Sequence, residues 1–228
     1  VVNETRTVEL ALELARAFER VPLGTAPLTA ALARLADDER SHVELASAFL
    51  TRIGAPVPDV APAPASTGDE AASLFLLRCV TTGLAVCETV SAVRFAVVRA
   101  HTDLAIPRTC IELFLRDELA HARLGMELLP GVLSHHASVV GERAARADLD
   151  AELRATFRHL DLVIGMDAER RGIALEARPQ PPCNAGVVEP ALDALALRDA
   201  VTRAIVPRLA RLGVDAGPIW AGRWRDEP

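Results

Sequence analysis

Two stretches of this 228-residue chain put a glutamate and, three residues on, a histidine into helical stripes that are otherwise apolar. In one, Leu28, Leu32 and Leu35 lead to Glu39 and His42, and Ala46 and Phe49 follow. In the other, Pro107, Ile111 and Phe114 lead to Glu118 and His121, and Gly125 and Leu128 follow. Steps of three and four residues keep one helical face aligned, so each Glu–His pair shares the face that must be buried. Two further stripes carry one carboxylate each: Glu88 among Leu84, Ser91 and Phe95, and Glu4 ahead of Val8, Ala11 and Ala15. Burying a carboxylate without compensation is strongly unfavourable, and four of them converging in one core require cations. One Glu from each of two helices, with Glu-x-x-His from each of two others, is the donor set that holds a pair of iron or manganese ions. The expected ligands are therefore Glu4, Glu39, His42, Glu88, Glu118 and His121. The expected cofactors are two iron ions, with manganese as the alternative metal.

A single Glu-x-x-His match is weak, because a helical chain of this composition supplies about half of one by chance. The repeat is stronger. Asp38-Glu39-x-x-His42 and Asp117-Glu118-x-x-His121 stand at a constant offset of 79 residues, and Leu45 and Leu124 keep it. Glu4-Thr5-Arg6-Thr7 likewise echoes Glu88-Thr89-Val90-Ser91, as two duplicated helix pairs would. Glu9 is the rival to Glu4, since its distance to Glu39 equals that from Glu88 to Glu118. However, Glu9, Glu13, Arg16 and Arg20 form a charged stripe of the kind that faces water, so Glu4 is the chosen ligand.

The same periodicity predicts an all-α chain. Helix A covers about residues 3–20, helix B runs from Pro27 to about Arg52, helix C from about Asp69 to Ala100, and helix D from near Pro107 to Pro130-Gly131. Residues 54–68 hold Pro56, Pro58, Pro62 and Pro64, which marks a long B–C crossover between two helix pairs with short connections. The expected organisation is a four-helix bundle over 1–131 and a helical extension over 132–228. Within the extension one helix spans about 139–176 and another about 190–212, with a bend at Pro207. The extension would pack on the bundle or on a partner subunit, the chain being read as a homodimer.

Composition narrows the functions. A net charge of −6 and a pI near 5.6 oppose phosphate-backbone binding, so no nucleic-acid partner is expected. The most apolar stretch, residues 74–98, contains Arg78, Glu88 and Arg94, which argues against a membrane span. Four scattered cysteines without a C-x-x-C pair read as free thiols. With no basic, apolar leader at Val1, the expectation is a cytoplasmic protein.

The pattern resembles the ferritin-like di-iron carboxylate superfamily over roughly residues 4–129. Gly83-Leu84-Ala85-Val86-Cys87-Glu88-Thr89-Val90 and Asp117-Glu118-Leu119-Ala120-His121-Ala122 are similar to segments of bacterial ferritin-like domain proteins. The resemblance implies a ferritin-like bundle in which Glu39 and Glu118 are terminal or bridging ligands beside Glu4 and Glu88. It implies one metal for each of His42 and His121, with Asp38 and Asp117 accepting from their imidazole N–H groups. Glu39 and Glu118 would then be the catalytic carboxylates of an oxidoreductase that uses O₂, and in some cases an external electron donor, to oxidise or hydroxylate a small organic molecule. Iron or peroxide handling, of ferroxidase or manganese catalase type, is the alternative, and a metal-free helical interaction module is a third. The absent tyrosine excludes a tyrosyl-radical protein, and the missing C-x-x-C pair excludes a rubredoxin-like tail.

Several residues are expected to stay outside the site. His101 reads as a helix cap, and His135 and His136 as surface residues after a helix end. Cys87 reads as a small core residue, and Trp220 and Trp224 as anchors for the tail. His159 and Asp167 lie near the fifth helix's buried stripe and are the only further candidates for reaching the metal pocket.

Overall fold

The computed structural model describes residues 2–59, 72–164 and 190–225, all helical or in short connections among them. The helices are α1 (Val2–Phe18), α2 (Ala26–Arg52), α3 (Ala72–Arg78), α4 (Glu88–Ala100), α5 (Ala105–Val140) and α6 (Glu142–Ile164). They are followed by α7 (Pro190–Asp199), α8 (Val206–Arg211) and α9 (Gly217–Ala221). Two π-helical stretches interrupt this order: π1 (Cys79–Cys87) joins α3 to α4, and π2 (Ala200–Ile205) joins α7 to α8. The all-α expectation holds. Asp167, Cys183, the end of the expected fifth helix and most of the expected crossover lie outside the described residues.

Local chemistry sets the helix ends. The Thr25 side chain accepts from the Leu28 N–H at 3.3 Å and Pro27 occupies the first turn, so α2 starts with a satisfied cap. His101 closes α4, its Nδ1 paired with the Val97 carbonyl at 2.8 Å. Gly141, with φ +91°, ends α5 and lets the chain turn directly into α6.

α1 packs along α2, and α5 packs along π1 and α4. The two pairs meet where α2 faces α5 and α1 faces α3 and π1. Leu14, Phe18, Leu32, Leu35, Leu77 and Leu84 fill the core between them. The segment Ala72–Ala100 is the one stretch among the described residues with the length and hydropathy to cross a membrane. Of its 18-residue apolar window 67% is buried within the protein, as in a central core helix.

Three expectations need correction. Helix D does not stop at Pro130-Gly131: α5 runs through both to Val140, past the expected boundary at 131. An interior proline costs about 3 kcal/mol through its lost hydrogen bond and ring clash. Buried Leu129, Val132 and His136 on either side of it offset that cost by packing on α3 and α6. His136 is consequently no surface residue. It is buried, with Nδ1 3.0 Å from Ser73 Oγ and Nε2 2.9 Å from Asp148 Oδ2, which ties α5 to α3 and α6. The fifth helix begins at Glu142 rather than near 139, because Gly141 intervenes.

The tail behaves as expected. Trp220 meets Phe157 edge-on at 5.3 Å, and Trp224 Nε1 donates to Asp161 Oδ2 at 2.6 Å. Pro207 sits in the first turn of α8, directly after π2, where the loosened turn accommodates its missing N–H.

π1 is the feature the sequence pattern did not disclose. Its residues are buried almost all round, and it delivers Glu88 to the first position of α4. α5 approaches it so closely that a Cβ on Gly125 would lie 2.5 Å from the Ala85 nitrogen and from the Leu84 carbonyl carbon. Gly125→Ala must therefore push two backbones apart. We expect a loss of about 1–3 kcal/mol of stability, read from urea denaturation, the usual range for overpacking a core.

Candidate metal centre

The four stripes converge. Glu39, His42, Glu88, Glu118 and His121 are buried and Glu4 is half-buried. Glu4, Glu39, His42 and Glu118 each offer one ligand atom, all within 4.8 Å of one another, and Glu39, Glu88 and His121 form a second such group. Glu39 belongs to both. Its Oε1 is 3.1 Å from His121 Nδ1, and its Oε2 is 3.5 Å from His42 Nδ1. All six expected ligands are thus brought together. Glu9 is not among them, so the choice of Glu4 agrees with the geometry.

The histidines are oriented from behind, and the two helix pairs do this reciprocally. His42 Nε2, from α2, lies 3.2 Å from Asp117 Oδ2 on α5; His121 Nε2, from α5, lies 3.2 Å from Asp38 Oδ2 on α2. A carboxylate at Nε2 holds the proton there, so each Nδ1 lone pair is directed into the cluster. Asp38 and Asp117 thereby occupy the expected acceptor positions, each serving the histidine of the opposite helix. Arg116 in turn donates to Asp117 Oδ1 at 2.8 Å and keeps that carboxyl below its usual range against the opposing effect of partial burial.

Inside this frame the polar atoms face one another unsatisfied. Both oxygens of Glu39, Glu118 Oε2 and the Nδ1 atoms of His42 and His121 are buried without a hydrogen-bond partner. Burial, reinforced by the neighbouring carboxylates, pushes Glu118 up to about 12 and Glu4 to about 7. Burial does the same to Glu88, at about 8, although its hydrogen bond with Glu118 pulls the other way. Glu39 goes down to about 2: burial opposes this, but the close approach of His121, His42 and Glu4 outweighs it. Both histidines are raised, their burial being overcome by Glu39 and the aspartates. Without a cation the cluster must retain protons to exist. A donor set of four carboxylates and two imidazoles, with lone pairs directed inward and no internal partner, fits two divalent first-row ions.

A cavity of about 1020 Å³ opens beside the cluster, with Glu4 and Glu88 in its wall. Phe114 lies between cluster and cavity, its ring 4.5 Å from that of His42, and Phe95 stacks behind it at 5.4 Å. Cys87 packs against the hydrophobic core, as expected, while one side of it lines the cavity, and burial pushes its thiol up to about 11. His159 borders the cavity from α6 but is absent from the ligand groups. Sequence reasoning missed Phe114 as the histidine's neighbour, although its place one turn before Glu118 was visible. It also missed Arg94 and Asp193, which join α4 to α7 beside the cavity across 99 residues of chain.

Compared with family models, curated proteins and solved structures, the chain finds no significant match.

The cluster makes the metal-free protein sensitive to alkali. Free carboxyls ionise near 4.5, whereas folded Glu4, Glu88 and Glu118 keep their protons to higher pH. The folded state then binds more protons than the unfolded one, so stability falls as pH rises through 5 to 8. The raised histidines contribute in the same direction: their stabilisation is complete below 6.5 and is lost as pH rises through their folded values. Glu39 and Asp117 act oppositely: their stabilisation is lost as pH falls, for Glu39 from 4.5 towards 2. Metal ligation demands deprotonated ligands and strengthens with pH. We therefore expect the melting temperature of chelator-treated protein to fall between pH 5 and 8, and that of Fe(II)- or Mn(II)-loaded protein to rise. Parallel slopes in the two samples would contradict this account.

Proposed function

We propose that this protein is a dinuclear non-haem iron oxidoreductase built on a ferritin-like bundle, which uses O₂ to oxidise or hydroxylate an organic molecule held in the 1020 Å³ cavity. The observation that carries the proposal is the set of inward-facing, unpartnered donor atoms on Glu39, Glu118, His42 and His121, which border a substrate-sized space through Glu4 and Glu88. Glu4, Glu39, His42 and Glu118 would hold one ion, and Glu39, Glu88 and His121 the other. Bound there, a pair of reduced iron ions supplies the oxidising equivalent from O₂. For a hydroxylation, one oxygen atom enters the product and the other leaves as water, with two protons and two electrons from an external donor.

The chain's own residues do the rest. Asp117 and Asp38 hold the imidazoles in one tautomer, so ligand geometry is set before metal arrives. Phe114 and Phe95 form an apolar screen between His42 and the cavity, which excludes bulk water from the reacting side. Glu4 is the least buried carboxylate of the six-residue set and has the lowest of the three raised pKa values, about 7. It is therefore the carboxyl best placed to exchange a proton with the cavity. The cavity favours this reading over iron storage or peroxide disproportionation, because neither iron nor peroxide needs an apolar chamber of that size.

Anaerobic loading with Fe(II) should give two irons per chain by metal analysis, and admission of O₂ should produce ferric near-ultraviolet absorption. Fewer than one iron per chain after loading would defeat the proposal. Glu4→Ala should lower the stoichiometry, whereas Glu9→Ala should leave it at two. Asp117→Asn should weaken metal affinity by about 10- to 100-fold without unfolding the protein, as expected for the partner of a ligating histidine.

A further inference from the structure

The cavity beside the carboxylates runs along α4. Its lining follows α4 from Glu88 through Ser91 and Phe95 to Val98, ten residues along one face, or about 15 Å at the helical rise. α2 lines it in the same outward direction from Leu45 to Leu50, and α5 does so from Phe114 back to Pro107. Between the ends the wall is mainly aliphatic and aromatic.

Few charges border this space. Glu4 and Glu88 belong to the carboxylate cluster, and Arg94 and Asp193 satisfy each other through two bonds of 2.6 and 2.7 Å. Arg6 differs from these. It is an exposed guanidinium in the cavity wall with no hydrogen bond or ion pair to another described residue, and it lies two positions from Glu4 on the first turns of α1. An apolar cavity with one uncommitted cation in its wall matches an apolar chain with one anionic end, and guanidinium binds carboxylate in a fork.

We propose that the cavity binds a linear aliphatic carboxylate, with its head on Arg6 and its chain extended along the α4 stripe towards Val98. As the substrate of the dinuclear centre this molecule rests on the reading above, but its binding is measurable without turnover. The geometry orients it: a head group near Arg6 puts the first carbons of the chain, and not its far end, beside Glu4 and Glu88.

The test is calorimetric titration of octanoate, decanoate and dodecanoate, below their micelle concentrations, into the full chain with and without Fe(II) under anaerobic conditions. Metal content is counted on the same samples. Affinity should tighten about fourfold per added methylene as each is buried. Arg6→Gln should weaken decanoate at least tenfold and leave 1-decanol unchanged. Val98→Trp, which fills the outer end, should weaken dodecanoate far more than octanoate while the metal count stays at two. Leu50→Trp serves as a second blocking variant if the first melts early. Absence of binding to the wild-type chain, equal binding of decanol and decanoate with Arg6→Gln inert, or unchanged dodecanoate affinity in both tryptophan variants would each overturn the proposal. Two metals with no acid bound would refute this inference alone. Acid bound with no metal would refute the dinuclear reading and leave the binding site standing.

Discussion

The structure depends on mutual repulsion held at close quarters. Four carboxylates and two imidazoles occupy one buried volume, and nothing inside the protein satisfies them all. Helical packing alone would expel such a group, because each uncompensated charge opposes folding by more than several buried methylenes favour it. What keeps the residues in place is the apolar surface above and below them: Leu32 and Leu35 on α2, Leu84 on π1 and Ile111 on α5 are buried on the same stripes. The cluster is the one layer in which the core's hydrophobic pattern is deliberately broken, and the layers around it supply the stability that the break consumes.

The reciprocal Asp–His pairs explain how such a layer keeps its geometry. Each pair spans α2 and α5, which otherwise share few contacts, so the two hydrogen bonds also set how far apart those helices sit. Because the bonds use Nε2, both Nδ1 atoms must face Glu39, and the ring centroids settle 6.4 Å apart. A rotation of either helix would break its own Asp contact and withdraw a ligand together. Ligand direction and helix spacing are thus one constraint rather than two.

How much of this was readable in advance follows from which residues repeat. Glu39-x-x-His42 and Glu118-x-x-His121 break an apolar stripe at the same offset, and periodicity converts such a break directly into a place in the core. Glu4 was separable from Glu9 because a carboxylate flanked by Val8 and Ala11 must be inside, whereas one flanked by charges need not be. The π1 turn was not readable, since a stretch buried on nearly every side has no stripe whose period can be measured. Pro130 misled for the opposite reason: a local helix-breaking preference was clear, but the packing of Val132 and His136 that overrides it comes from α3 and α6, distant in sequence. His136 was misplaced as a direct result, since a residue beyond a supposed helix end looks exposed. Phe114 shares the stripe of Ile111 and Glu118 but is half-buried in the cavity wall rather than in the core, and its contact with the His42 ring depends on how α5 rotates against α2, which no single-helix pattern encodes.

The C-terminal half carries no chemical motif, and the cavity shows what it contributes. Leu160, Val163 and Ile164 of α6 form one side of the chamber, and Asp193 of α7 locks Arg94 of α4 at its border. The carboxylates come from α1, α2, α4 and α5, whereas this part of the wall comes from helices that provide none of the six. Buried Leu149, Leu153 and Phe157 anchor α6 to the core, and the Trp220 and Trp224 contacts fasten the tail back onto it. The wall is thereby anchored to the core while none of its α6 and α7 residues joins the ligand groups. Under the proposed function, reaction type and substrate shape would be set by separate parts of the chain. A change at Leu160 or Ile164 alters the space available to a ligand while leaving the repulsive layer and its Asp–His frame intact, which is how a fixed centre can be adapted to different molecules.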